Sequence, residues 1–157
     1  MNRVKILHLC SYQSGLKKVL IIRFSSIGDI VLTTPVIRCV ARQFPEVEVH
    51  YLTRSAFVGI LKDNPYVSKV FAFDGDGADI IRELKSEKYD LVIDLHHNLR
   101  SFKVRMALGV KAGAFPKLNI EKWLLVNFKW NRMPDLHIVD RYFEAVRIPG
   151  LTNDGQG

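Results

Sequence analysis

Val19-Leu20-Ile21-Ile22-Arg23-Phe24, followed by Ser25-Ser26-Ile27-Gly28-Asp29, is the stretch that decides the fold. Its first six residues are apolar and largely branched, as in a strand buried on both faces of a parallel sheet. Ser25–Gly28 reads as a turn. From Asp29 to about Gln43, Ile30, Val31, Val36, Ile37, Val40 and Ala41 recur at roughly helical spacing. The spacing predicts one helix, with Pro35 in its first or second turn, where it removes a backbone donor and can kink the axis.

The same alternation continues outward. Val47–Thr53 alternates as a second strand, and Ser55 is placed to cap a short helix through Leu61. Lys69–Phe73 reads as a third strand, Ala78–Ser86 as a helix and Tyr89–Leu95 as a fourth strand. Asn98–Leu108 is a helix candidate, Val110–Phe115 a short strand, and Asn119–Phe128 and His137–Val146 further helices. Strands and helices taking turns across short connections predict an α/β fold, a Rossmann-like parallel sheet with helices on both faces. Residues 1–18 read as an N-terminal extension, 19–150 as the domain, and 151–157, polar and turn-forming, as the start of an interdomain linker.

Bulk properties narrow the class. A chain of 157 residues, 48% hydrophobic and 25% charged, can bury a substantial single core. No run approaches the roughly 20 apolar residues of a spanning helix, and the leader lacks the cleavage site of a signal peptide. A cytoplasmic location is the expectation. Cys10 and Cys39 make no disulfide framework, and Cys39 reads as a small core residue. The net charge of +7 is concentrated: residues 100–132 hold eight Lys or Arg against Glu121 alone, so that stretch carries the whole excess. Such a block fits an anionic partner or a solvated face.

In a doubly wound sheet, ligands gather at the carboxyl ends of the strands. Two loops there are chemically loaded. In Ser25-Ser26-Ile27-Gly28-Asp29, Asp29 is either the cap of the helix it opens or a general base at the mouth of a cleft. Gly28 is the turn's only glycine, so the glycine-rich dinucleotide fingerprint is absent. The second loop, Asp94-Leu95-His96-His97-Asn98-Leu99-Arg100-Ser101, gathers an acid, two imidazoles, an amide and a guanidinium. That density suits a hydroxyl-rich, charged ligand. Asp94 can equally be a carboxylate that stabilises its loop, and Arg100 can pair with a nearby acid. Adjacent histidines on an extended segment point apart, and no zinc-ligand spacing occurs.

Val19–Pro35, with its strand, basic residue, Ser25-Ser26-Ile27-Gly28-Asp29 and Thr33-Thr34-Pro35, resembles the opening of glycosyltransferase family 9, the ADP-heptose:lipopolysaccharide heptosyltransferases. Tyr89–Leu95 with Asn98-Leu99-Arg100-Ser101 is similar to the family's second signature. The resemblance runs from about Val19 to Gly157. It implies the N-terminal half of a GT-B enzyme, two Rossmann-like domains facing across a cleft, with the acceptor on this side and most of the nucleotide-sugar site on the other. It implies an inverting transfer of heptose from ADP-heptose to the Kdo/lipid A inner core, with no metal or cofactor and the ADP-sugar as a substrate.

By resemblance Asp29 is the catalytic base, and Ser25, Ser26, Gly28, Arg54, Asp94, His96, His97, Asn98, Arg100 and Ser101 lie on the acceptor side. Lys103, Arg105, Lys117 and Lys122 form a patch toward acceptor phosphates or an anionic inner-membrane surface, interleaved with Trp123, Leu124, Leu125, Phe128 and Trp130. His96-His97 departs from the small or amide residues of the family, which implies an acceptor unlike the enterobacterial one. Two other readings stand beside this: a family 9 transferase for another sugar or acceptor, and a non-catalytic basic module that binds nucleic acid. The second lacks any helix-turn-helix, RRM or KH signature.

Overall fold

A computed structural model of the chain describes residues 15–114, 138–146 and 148–156. Five strands, β1 (Lys18–Ile22), β2 (Glu48–Thr53), β3 (Lys69–Ala72), β4 (Leu91–Asp94) and β5 (Lys111–Ala114), form one sheet in the order β3-β2-β1-β4-β5. Every pairing is parallel, with Ile22 beside Leu52 on one side and beside Asp94 on the other. The order reverses between β1 and β4, the switch point of a doubly wound sheet.

The helices are α1 (Ile27–Val31), α2 (Thr34–Gln43), α3 (Val58–Leu61, after a 3₁₀ turn at Ser55–Phe57), α4 (Ala78–Ser86), α5 (Leu99–Leu108) and α6 (Ile138–Val146). Because side chains alternate along a strand, β1, β2 and β4 each feed two cores. Val19, Ile21, Val49, Tyr51, Leu91 and Ile93 pack with Ile37 and Val40 of α2 and Tyr142 and Val146 of α6. Leu20, Ile22, Leu52 and Val92 pack on the other face with Leu84 of α4 and Val104 of α5. Each fully buried Leu, Ile or Val contributes about 1.5–3 kcal/mol. Gly113 is where β5 admits α6: a Cβ there would meet the Ala145 carbonyl oxygen at 2.1 Å.

Several expectations change. The single helix over 29–43 is two, α1 and α2, broken at Leu32–Thr33. Thr33 donates its hydroxyl to the Ile30 carbonyl at 2.6 Å, and Pro35 falls in the first turn of α2, where its missing N–H has no partner to lose. Pro35 therefore starts a helix and does not kink one. β2 does not alternate; Val49–Thr53 are all buried, because β2 lies inside the sheet with helices on both sides. Ser55 caps nothing: it lies within the 3₁₀ turn and donates to Asp74 Oδ1 at 3.0 Å.

Leu16, placed in the extension, is buried in the core, and β1 begins at Lys18. Residues 151–156, read as a linker, pack against α2: Arg38 makes two hydrogen bonds to Asp154 at 2.7 and 2.8 Å, and Gln43 exchanges bonds with Thr152. The Arg38 guanidinium holds the Asp154 carboxyl far below the usual carboxylate range. Residues 1–14, Cys10, Lys117, Lys122, the helix at 119–128 with its aromatics, and the ends at Phe115 and His137 lie outside the described residues.

Candidate active site at the sheet switch point

The two loaded loops meet at the carboxyl ends of β1 and β4, and Arg23 joins them. Its Nε donates to the Ser25 carbonyl at 2.8 Å, its Nη1 to the Leu95 carbonyl, and its Nη2 lies 2.6 Å from Asp29 Oδ2. One guanidinium thus spans both loops and the carboxylate. The sequence reading passed over Arg23 as a generic basic residue; the signal was a lone charge in an otherwise apolar strand.

Asp29 is not the N-cap. Ser26 is, and Asp29 stands at the third helical position, where its Oδ2 accepts from the Ser26 N–H at 3.1 Å and the Ser26 hydroxyl at 3.0 Å. Every contact of this carboxylate falls on Oδ2, which leaves Oδ1 open on a side chain that is 36% exposed. Cap and base, posed as alternatives, are compatible: one oxygen anchors the helix and the other faces outward. Burial pushes the carboxyl up, but the Ser26 N–H, the Arg23 guanidinium and the Ser26 hydroxyl together outweigh it and hold it below its ordinary value. The Ser25–Ser26 peptide is cis.

Gly28 sits in the first turn of α1, beside this carboxylate. A Cβ there would meet nothing within 4 Å, and its φ is not left-handed, so neither packing nor backbone geometry asks for glycine. Ile27 and Val31, exposed at 59% and 48%, flank it on the same short helix.

The second loop divides its expected site residues. Asp94 is fully buried; its Oδ1 accepts the N–H of His96 at 3.0 Å and of His97 at 2.7 Å, and its Oδ2 lies 3.6 Å from Arg105 Nε. It shapes the loop from beneath and does not reach a ligand. The bend it imposes puts His97 at φ +50°, so the two histidines do not sit on an extended segment. The His96 ring packs edge-on against Phe24, with centroids 5.2 Å apart. Asn98 caps α5 and exchanges hydrogen bonds with Ser101 at 2.9 Å in both directions. Ser101 is completely buried and cannot touch an acceptor. Arg105, assigned to a surface patch, is turned inward to Asp94, its side chain 16% exposed, while Lys103 remains on the surface.

Arg54 and Arg100 come together across an open groove of about 420 Å³, with Ser55, Phe73, Asp74 and Gly75 completing its walls. Arg100 makes no ion pair with any described residue. Ser55 and Asp74 were not anticipated; they come from the ends of β2 and β3, separated by 19 positions in sequence. Among the described residues no group of three His, Cys, Asp or Glu side chains forms a metal-binding cluster, and no helix is long and apolar enough to cross a membrane.

No protein-family model matches the chain. It is 28% identical to lipopolysaccharide heptosyltransferase 1 of Campylobacter coli, over 87% of this chain and 41% of that protein. It is 31% identical to lipopolysaccharide heptosyltransferase 3 of Escherichia coli strain K12, over 43% of this chain and 23% of that protein. Both of these similar proteins are lipopolysaccharide heptosyltransferases. The fold agrees: the Escherichia coli heptosyltransferase WaaC, solved with ADP, superposes with a TM-score of 0.69 at 20% identity, over 89% of this chain and 49% of that one. The family 9 glycosyltransferase of Veillonella parvula superposes with a TM-score of 0.67 at 19% identity, over 87% and 42% of the two chains. The chain spans less than half the length of the heptosyltransferases it matches.

Proposed function

We propose that this chain forms the acceptor side of an inverting glycosyltransferase that moves heptose from ADP-heptose to the Kdo/lipid A inner core of lipopolysaccharide. The observation that carries the reading is the divided carboxylate of Asp29, anchored through Oδ2 and open at Oδ1, at the switch point of the sheet. The heptosyltransferase relatives support the choice of donor and acceptor.

Asp29 Oδ1 takes the proton of an acceptor hydroxyl as that oxygen attacks the anomeric carbon. The bond from that carbon to the diphosphate breaks on the opposite face, ADP leaves with the electron pair, and the configuration inverts. The Ser26 N–H and the Arg23 guanidinium lower the proton affinity of Asp29, which stays ionised, the form a base needs. The proton therefore moves late, once the forming C–O bond has made the hydroxyl acidic. Gly28 leaves room for the sugar, Ser25 and Ser26 shape the turn, and Arg54 and Arg100 meet the acceptor's carboxylates or phosphates. Two assigned positions act indirectly: Asp94 and Asn98 hold the loop that carries His96 and His97. The reading assigns no step to a metal or organic cofactor and places the protein in the cytoplasm.

The test is direct. The chain, alone and as the full product of its gene, is incubated with ADP-heptose and deacylated Kdo-lipid A, and the products are weighed by mass spectrometry. A mass gain of one heptose supports the reading; gain only from another ADP-sugar reassigns the donor, and none from any refutes it.

A further inference from the structure

The solvent side of α5 carries an apolar ridge. Leu99, Phe102 and Met106 are 81%, 47% and 66% exposed, and their spacing of three and four residues stacks them along one helix face. The buried side of the same helix is made by Ser101 and Val104. α5 is therefore apolar toward solvent as well as toward the core, which a helix packed on one side alone does not require.

The ridge is bordered by cations. Arg100 and Lys103 are exposed along one edge; on the other, Arg105 is turned inward to Asp94, with its guanidinium 5.6 Å from the centre of the Phe102 ring. Residues 95–120 contain five Lys or Arg and no Asp or Glu. Three large exposed apolar side chains beside the exposed cations Arg100 and Lys103, on a helix that itself carries no acid, match the boundary between acyl chains and anionic head groups. A protein partner complementary to this face would need acids around an apolar groove; an anionic bilayer supplies both features without being shaped to fit.

We propose that the exposed face of α5, with Leu99, Phe102 and Met106 inserted and Arg100 and Lys103 on the head groups, is the surface by which this protein rests on an anionic lipid bilayer. Arg100 also lines the groove it shares with Arg54, so the ridge starts at the rim of the candidate site. Docking here brings that groove to the head-group level. The inference deepens the proposed function, whose acceptor is a lipid, but its test needs no sugar transfer, so either can fail without the other.

The 157-residue chain is sedimented with vesicles of phosphatidylcholine alone and of phosphatidylcholine with equimolar phosphatidylglycerol. The wild type should partition onto the anionic vesicles and much less onto the neutral ones. Phe102→Ser with Met106→Ser should lower the partition coefficient by at least about five-fold at an unchanged melting temperature. Lys103→Gln should lower it by about five-fold on anionic vesicles only, as expected for the loss of one charge near such a surface. Equal partition of wild type and both variants would overturn the proposal, as would no binding by the wild type. So would a sharply lowered melting temperature of the double serine variant, which would mean that the ridge is covered within the protein. A concentration-dependent dimer of the wild type that the double variant abolishes would give the face to a second copy.

Discussion

Arg23 Nη2 lies 2.6 Å from Asp29 Oδ2, and the same guanidinium donates to the carbonyls of Ser25 and Leu95. The residue just past β1 therefore holds a carboxylate in the following helix in place, adds to the Ser26 N–H in lowering its pKa, and ties that helix to the loop after β4. The arrangement separates what Asp29 does for the fold from what it offers a substrate, because all of its contacts are on one oxygen.

Arg23→Met removes the ion pair and both carbonyl contacts. The Asp29 carboxyl should then rise toward its ordinary value, because burial pushes upward and only the Ser26 donors remain to oppose it. Arg23→Lys, which keeps a charge, should restore part of the depression. Carboxyl NMR titration of the chain reads this directly; a carboxyl unmoved by Arg23→Met would show that Ser26 alone sets it.

Gly28 offers a separation of stability from activity. Gly28→Ala should leave the fold intact or stabilise α1 by up to about 1 kcal/mol, since a Cβ meets nothing and alanine favours helix. Gly28→Leu should fold as well and yet lose most transfer activity, because its side chain would fill the space beside Asp29. Thermal melts paired with the transfer assay check both. A Gly28→Leu protein as active as wild type would place the sugar elsewhere.

Asp94 is predicted to matter through its loop. Asp94→Ala leaves the N–H groups of His96 and His97 without their acceptor and removes the partner of Arg105 Nε. The cost should be on the order of 3 kcal/mol or more in urea unfolding. Asp94→Asn keeps the Oδ1 acceptor and should cost clearly less. If the two substitutions cost the same, the backbone contacts are not what makes Asp94 important.

The opposite end of the sheet sets an acid limit. Glu87 accepts from Lys18 at 2.7 Å and Lys69 at 2.9 Å, and these two ammonium groups hold its carboxyl down at about 2, against an ordinary 4.5. Its folded pKa is depressed, so its contribution is fully present above about 4.5 and is lost as the pH falls toward 2. Allowing for solvent around Lys69, that contribution is on the order of 2 kcal/mol. His50 acts in the same direction: burial lowers its pKa despite the nearby Glu87, so below its ordinary 6.5 the unfolded chain takes up a proton that the folded one resists. Melting temperatures should fall with pH from about 6.5 downward. The gap between wild type and Glu87→Gln should be steady above pH 5 and close near pH 2; a gap unchanged down to pH 2 would contradict the assignment.

Much of this was legible in the sequence, for identifiable reasons. The apolar run at Val19–Ile22 and the Leu91–Asp94 strand are fully buried in the sheet interior, so burial left a continuous mark on composition. Their following loops were found because α/β sheets place ligands at strand ends. What escaped notice depends on hydrogen bonds between distant residues. The Thr33 hydroxyl at the break between α1 and α2 is held by Tyr51, 18 positions away and 2.9 Å from it. The docking of 151–156 rests on Arg38, 116 positions from Asp154. The inward turn of Arg105 rests on a buried acid. Local patterning does not encode such pairs, and the Arg23 clamp is of the same kind.

The most direct measurement is the rate of heptose transfer from ADP-heptose to deacylated Kdo-lipid A by the full gene product, comparing wild type with Asp29→Asn. Asparagine keeps an Oδ acceptor for Ser26, so the variant should fold and bind acceptor as the wild type does. Its kcat should fall by about 10²–10⁴, the range expected on losing a general base. A folded Asp29→Asn protein with an unreduced kcat would contradict the account and leave Asp29 as a helix cap alone.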